Sequence, residues 1–94
     1  MRTFNKVLVI DDDPILRALA KEYFESRGTK EVLQAANGLE ALDVLQQRDI
    51  GIGLILSDLN MPQLDGVEFL GRVKDLDYDG PIVIISGTYD VVIK

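Results

Sequence analysis

The chain has 94 residues, a net charge of −6 and a sequence pI near 4.4, with 47% hydrophobic and 28% charged residues. That composition fits one small globular domain spanning 1–94, and its acidity argues against binding nucleic acid or an anionic membrane, since both require a basic face. Cysteine and histidine do not occur, which excludes disulfides, thiolate catalysis, Cys-type zinc sites and imidazole bases. No apolar run approaches the roughly 18 residues of a membrane span, and the N-terminus lacks a signal-like pattern, so a cytoplasmic location is expected.

Lys6 to Ile10 is rich in β-branched residues and apolar on both faces, as a central parallel strand should be, and it runs into Asp11-Asp12-Asp13. Asp13-Pro14 opens a helix, with Asp as cap and Pro in the first turn. Ile15, Leu16, Leu19, Ala20, Tyr23 and Phe24 recur at helical spacing and give one apolar stripe, and Gly28 ends the helix. Glu31 to Ala36 is a second strand with Val32 and Leu33 as core candidates. Asn37 caps a second helix whose buried side carries Leu39, Ala41, Leu42 and Leu45. Asp49 to Gly53 is a glycine-punctuated turn.

Leu54 to Ser57 is a third, buried strand closed by Asp58, and Pro62 cannot continue a ladder. Asp65-Gly66 turns into a third helix reaching about Leu76, with Val67, Phe69, Leu70 and Val73 apolar. After the acidic loop Asp77 to Gly80, Ile82 to Ile85 forms a fourth strand that ends in Ser86-Gly87. Tyr89 to Lys94 reads equally well as a helix start or an extended segment. Strands alternating with helices imply an α/β domain with a parallel sheet, helices on both faces and right-handed crossovers.

In a parallel sheet all carboxyl ends lie on one edge, where open α/β sheets bind ligands. Asp11 and Asp12 after the first strand, Asp58 after the third and Ser86 after the fourth can therefore converge. Two carboxylates about 4 Å apart repel by about 4 kcal/mol at an effective dielectric near 20. A divalent cation relieves that repulsion, and an all-oxygen donor set with room for water suits Mg²⁺. The same ion neutralises a phosphoryl group arriving at a carboxylate, and an Asp carboxylate is a competent phosphoryl acceptor. The plainer alternatives are that Asp58 is a solvated acid ending a strand and that Ser86 is a small turn residue.

With Val7-Leu8-Val9-Ile10-Asp11-Asp12-Asp13-Pro14, Asp58-Leu59-Asn60-Met61-Pro62, Asp65-Gly66 and Ile84-Ile85-Ser86-Gly87, and with Asn37-Gly38 and Glu40-Ala41-Leu42 in support, the chain resembles the receiver domain of two-component response regulators. The resemblance covers essentially the whole chain. It implies a flavodoxin-like (CheY-like) doubly wound sheet of order 2-1-3-4 here, lacking the family's fifth strand and last helices. It implies Asp58 as phosphoacceptor, Asp12 as the direct Mg²⁺ carboxylate with Asp11 as its water-linked neighbour, a backbone-carbonyl ligand at Asn60, and a switch hydroxyl at Ser86. The implied partner is a sensor histidine kinase or phosphotransfer protein. The implied role is a signalling phosphoacceptor in a phosphorelay rather than an enzyme, with self-catalysed phosphotransfer a property of the family.

The family's lysine and switch aromatic belong to a fifth strand with no counterpart up to Lys94, so weakened phosphotransfer is expected, and Lys94 does not take the lysine's role. The fourth strand would then be an open edge, a template for pairing with another chain. A homodimer through that edge, or through exchange of elements, is the expectation. Two other functions compete. In one, the acids are inert and the chain is a phosphorylation-incompetent binding module. In the other, Asp11-x-Asp13 and Ser86 resemble a haloacid-dehalogenase-type phosphatase with Asp11 as nucleophile and Asp13 as acid/base. That second family usually has Thr or Val where Ile15 stands, and it leaves Asp58 to Pro62 unexplained.

Overall fold

The structure, a computed structural model, describes residues 4–47, 49–58, 66–76, 78, 80–85 and 91–93. The elements follow in the order β1 (Lys6–Ile10), α1 (Pro14–Ser26), β2 (Glu31–Ala35), α2 (Gly38–Leu45), β3 (Leu54–Asp58), α3 (Gly66–Asp75), β4 (Ile82–Ile85) and β5 (Val91–Ile93). The sheet order is β2-β1-β3-β4-β5. The first four strands are parallel in the expected order, each joined to the next through a helix.

The helix starts are written in the sequence. Asp13 caps α1 by accepting the Ile15 N–H at 2.9 Å, and Pro14 follows at the first turn. Asn37 caps α2 by accepting the Glu40 N–H at 2.9 Å, while the Glu40 side chain reaches back to the Ala36 N–H at 2.9 Å. The reciprocal pair resembles a capping box shifted by one residue, satisfying one first-turn donor and the N–H of the residue before the cap. Gly28, at φ 96°, takes the left-handed conformation that stops α1.

Strand alternation sends residues to two cores. Leu8, Ile10, Ile55, Ile82 and Ile84 meet Ala41 and Leu42 of α2 and Phe69 and Val73 of α3. Val7, Val9 and Leu54 point the other way, where Ala20 and Phe24 of α1 pack with Val32 and Val83. Helix α1 sits chiefly on β1 and β2.

Two expectations are corrected, those on Leu39 and on the edge of β4. The apolar stripe of α1 is not buried as a whole: Ala20 and Phe24 pack, but Ile15, Leu16, Leu19 and Tyr23 are 69%, 49%, 57% and 53% exposed. Two strands cover only part of an apolar arc that wide. On α2, Leu39 is exposed while Ala41 and Leu42 carry the contact. Finally, β4 is not an open edge. Residues 91–93 are extended and pair antiparallel with it, Val83 with Ile93, Ile84 with Val92 and Ile85 with Val91. Three of its four residues are thereby paired, so association through the β4 edge loses its basis. This short strand is antiparallel, unlike the other neighbouring pairs of the sheet.

Candidate functional site: an acidic cluster at the carboxyl edge

Register alone brings the acids together. In the parallel β1–β3 pair, Val9 lies beside Leu56 and Ile10 beside Ser57. The next position along each strand is Asp11 and Asp58. Both strands are largely buried up to that point, with Ile10 and Ser57 each 1% exposed. The chain therefore leaves the apolar layer at the two carboxylates. Asp12 follows, exposed, before α1 begins.

Asp11, Asp12 and Asp58 each bring a carboxylate oxygen to within 4.8 Å of the others'. Asp11 and Asp58 are half-buried and Asp12 is exposed. The Asp11 carboxyl is held above its usual 3.8, chiefly by burial; the Asp13 N–H bond opposes this, and the charges of Asp58 and Asp12 and a side-chain bond with Asp12 add to it. A carboxylate pushed toward its protonated form by burial, and further by like charges, is one that a cation would return to its ionised form. Three oxygen donors on a partly solvated rim, with space for water, fit a hydrated hard cation such as Mg²⁺ better than a soft or fully enclosed metal.

The neighbouring acid behaves differently. Asp13 Oδ1 is engaged with the Ile15 N–H, so its carboxylate serves the helix, in agreement with the capping reading. This leaves the phosphatase alternative, which needs Asp13 as acid/base, without support. Ser57, buried beneath the cluster, donates its hydroxyl to the Asp58 carbonyl at 3.2 Å. Asn60 and Ser86, expected as carbonyl ligand and switch hydroxyl, lie outside the described residues, as do Met61, Pro62, Asp65 and Lys94.

One contact at the site has no counterpart in the sequence reading. Arg17, on the first turns of α1, donates from Nη1 to the Asp11 carbonyl at 2.7 Å and from Nε to Gln34 Oε1 at 3.2 Å. Nothing in its spacing marks it, because helical periodicity assigns Arg17 only to a polar flank.

Comparison with known proteins bears on the chain as a whole. Residues 7–94 match the family described as the response regulator receiver domain. The chain is 36% identical over 89 residues to sporulation initiation phosphotransferase F of Bacillus subtilis, covering 93% of this chain and 69% of that one. It is 34% identical over 85 residues to a protein-glutamate methylesterase/protein-glutamine glutaminase of Hahella chejuensis, covering 90% of this chain but spanning only 24% of the relative. Among solved structures it is similar to the receiver domain of the hybrid histidine kinase CckA, with a TM-score of 0.79, 34% identity, and 88% and 76% of the two chains covered. It is equally similar in shape to the receiver domain of an Arabidopsis thaliana histidine kinase complexed with Mg²⁺ and BeF3⁻, with a TM-score of 0.79, 31% identity, and 88% and 66% covered.

Proposed function

This chain belongs to the response regulator receiver domain family of two-component signalling, and on that footing we propose that Asp58 is its phosphoacceptor, with Asp11 and Asp12 holding Mg²⁺ beside it. The observation that carries the reading is the meeting of three carboxylates from two adjacent strand ends within 4.8 Å. The donor is a phosphohistidine on a sensor histidine kinase or phosphotransfer protein. A carboxylate oxygen of Asp58 attacks the phosphorus, the P–N bond breaks, and its electron pair stays on the imidazole nitrogen, which takes a proton from solvent. The product is an aspartyl-phosphate carrying about −1.5 to −2 charge.

When bound, Mg²⁺ would offset the charge of the carboxylates and of the phosphoryl oxygens. The resemblance supports the Asn60 carbonyl as a further ligand and the Ser86 hydroxyl as the group that moves toward the phosphoryl oxygen. Ile10 and Ser57, buried just before the acids, anchor the two strand ends on which Asp11 and Asp58 stand. We place the domain in the cytoplasm, where such kinases present their phosphohistidines; among the described residues no helix is long and apolar enough to cross a membrane. Self-association, with β4 already paired, is left to exchange of elements.

The test is acetyl phosphate with Mg²⁺, followed by intact-mass spectrometry, and a parallel BeF3⁻ titration. Wild type should gain one phosphoryl group and bind the fluoride adduct, and Asp58→Asn should do neither. An adduct that survives Asp58→Asn but disappears in Asp11→Asn would overturn the assignment. No adduct and no fluoride binding in wild type would favour the inert binding module.

A further inference from the structure

We propose that Arg17 is a positioning residue for the cation-binding acids, fixing the turn that carries Asp11 and Asp12 against β2. The inference rests on the Mg²⁺ reading above and adds a residue to it. Arg17 Nη1 donates to the Asp11 carbonyl at 2.7 Å, and Nε of the same guanidinium donates to Gln34 Oε1 at 3.2 Å. One planar group thus ties the first peptide after β1 to a side chain of β2. A guanidinium suits this task because its donors diverge in a fixed fork; a lysine ammonium is a single point on a flexible stem.

The consequence for the acids follows from peptide planarity. The Asp11 carbonyl and the Asp12 N–H lie in one rigid plane, so holding that oxygen fixes the direction in which the chain enters Asp12. Asp11 is secured at two further points. Its N–H donates to the Ala35 carbonyl at 3.1 Å, and its Oδ1 accepts the Asp13 N–H at 2.9 Å. The N–H bond continues the β1–β2 ladder and the Oδ1 bond is local to the turn. Arg17 alone of the three reaches in from α1, so it couples the docking of that helix to the aim of Asp12.

Charge and position predict opposite signs. Arg17 brings a positive charge beside a cluster that would bind a cation, so on Coulomb's law alone its removal should tighten Mg²⁺ binding. As a positioning group its removal should loosen binding, by about tenfold if it resembles other outer-shell partners of metal ligands.

The experiment compares the whole chain with Arg17→Met and Arg17→Lys. Mg²⁺ affinity is measured by calorimetry, and exchange of the Asp13 amide is followed by NMR in chelator, with no metal present. The expected result is about tenfold weaker Mg²⁺ binding in Arg17→Met, an intermediate loss in Arg17→Lys, and faster metal-free exchange at Asp13 in both. Unchanged or tighter binding in Arg17→Met, with wild type binding normally, overturns the proposal alone. Failure of wild type to bind Mg²⁺ overturns the reading beneath it as well. If Arg17→Met does not fold, Arg17→Lys decides, because it keeps the charge: wild-type affinity there overturns the positioning role, and weakened affinity supports it.

Discussion

The two faces of one sheet are built from alternate residues of the same strands, yet they are covered unequally. On one face, α2 and α3 bury Leu8, Ile10, Ile55, Ile82 and Ile84 beneath Ala41, Leu42, Phe69 and Val73. On the other, Val7, Val9 and Leu54 lie under α1, which commits only Ala20 and Phe24 to them and leaves most of its apolar residues exposed. The acidic cluster stands on the rim between the faces. Its strand ends are held by the well-packed side, while the turn after β1 is reached from α1 on the looser side. Stability and site geometry therefore draw on different parts of the molecule.

The largest expected effect is on the packed face. Phe69 is fully buried among strand residues, and Phe69→Ala should cost about 3–5 kcal/mol. That is a large part of the roughly 5–15 kcal/mol available to a domain, and a urea titration measures it. Val9→Ala on the other face should cost about 1.5–3 kcal/mol, two methyl groups of transfer plus a cavity. If Val9→Ala proves as costly as Phe69→Ala, the contrast between the faces fails. The caps come next. Asn37→Ala should lose about 1 kcal/mol, and Asp13→Ala about the same. Asp13→Ala should also leave the phosphoryl adduct in place, since its carboxylate serves α1.

Much of this was legible in the residues. Apolar runs ending in acids announced parallel strands with a polar carboxyl edge, and Asp13-Pro14 and Asn37 with Glu40 marked two helix starts. The convergence of Asp11, Asp12 and Asp58 followed from topology, because one residue of register in β1 and β3 is enough to set the acids side by side. What escaped was tertiary. Helical spacing says which side chains of α1 share a flank, but not how much of that flank two strands can cover, so the exposure of Leu16 and Leu19 cannot be read from it. Three residues of extended chain carry too little pattern to reveal that Val91 to Ile93 would return antiparallel along β4. The Arg17 contact depends on where α1 docks, which no local spacing encodes.

A smaller effect tests the rim. The Asp11 carboxyl is raised above 3.8 in the folded chain, by burial first and by its acidic neighbours after it. The folded state then holds that proton more tightly than the unfolded state, so this group's contribution to stability is greatest at low pH. It should decline as pH rises from the unfolded carboxylate range through the raised folded value, and level off beyond. Urea midpoints across that range, in chelator, should show the decline in wild type and a shallower one in Asp11→Asn. Mg²⁺ at neutral pH should return stability to wild type more than to Asp11→Asn, because the cation removes the repulsion that ionisation creates.

The smallest effect is the most discriminating for the two faces. Leu19 lies in the apolar stripe of α1 yet is 57% exposed. If the helix commits only Ala20 and Phe24 to the sheet, Leu19→Ala removes little buried surface and exchanges one good helix former for a better one. Its cost should stay within about 0.5 kcal/mol, whereas Phe24→Ala, one helical flank away, should cost several times more. A Leu19→Ala penalty approaching that of Val9→Ala would mean that the outer flank of α1 is buried in solution, by a second copy or by rearrangement of the chain. The same urea titration repeated over a range of protein concentrations separates those two causes, because only association makes the penalty depend on concentration.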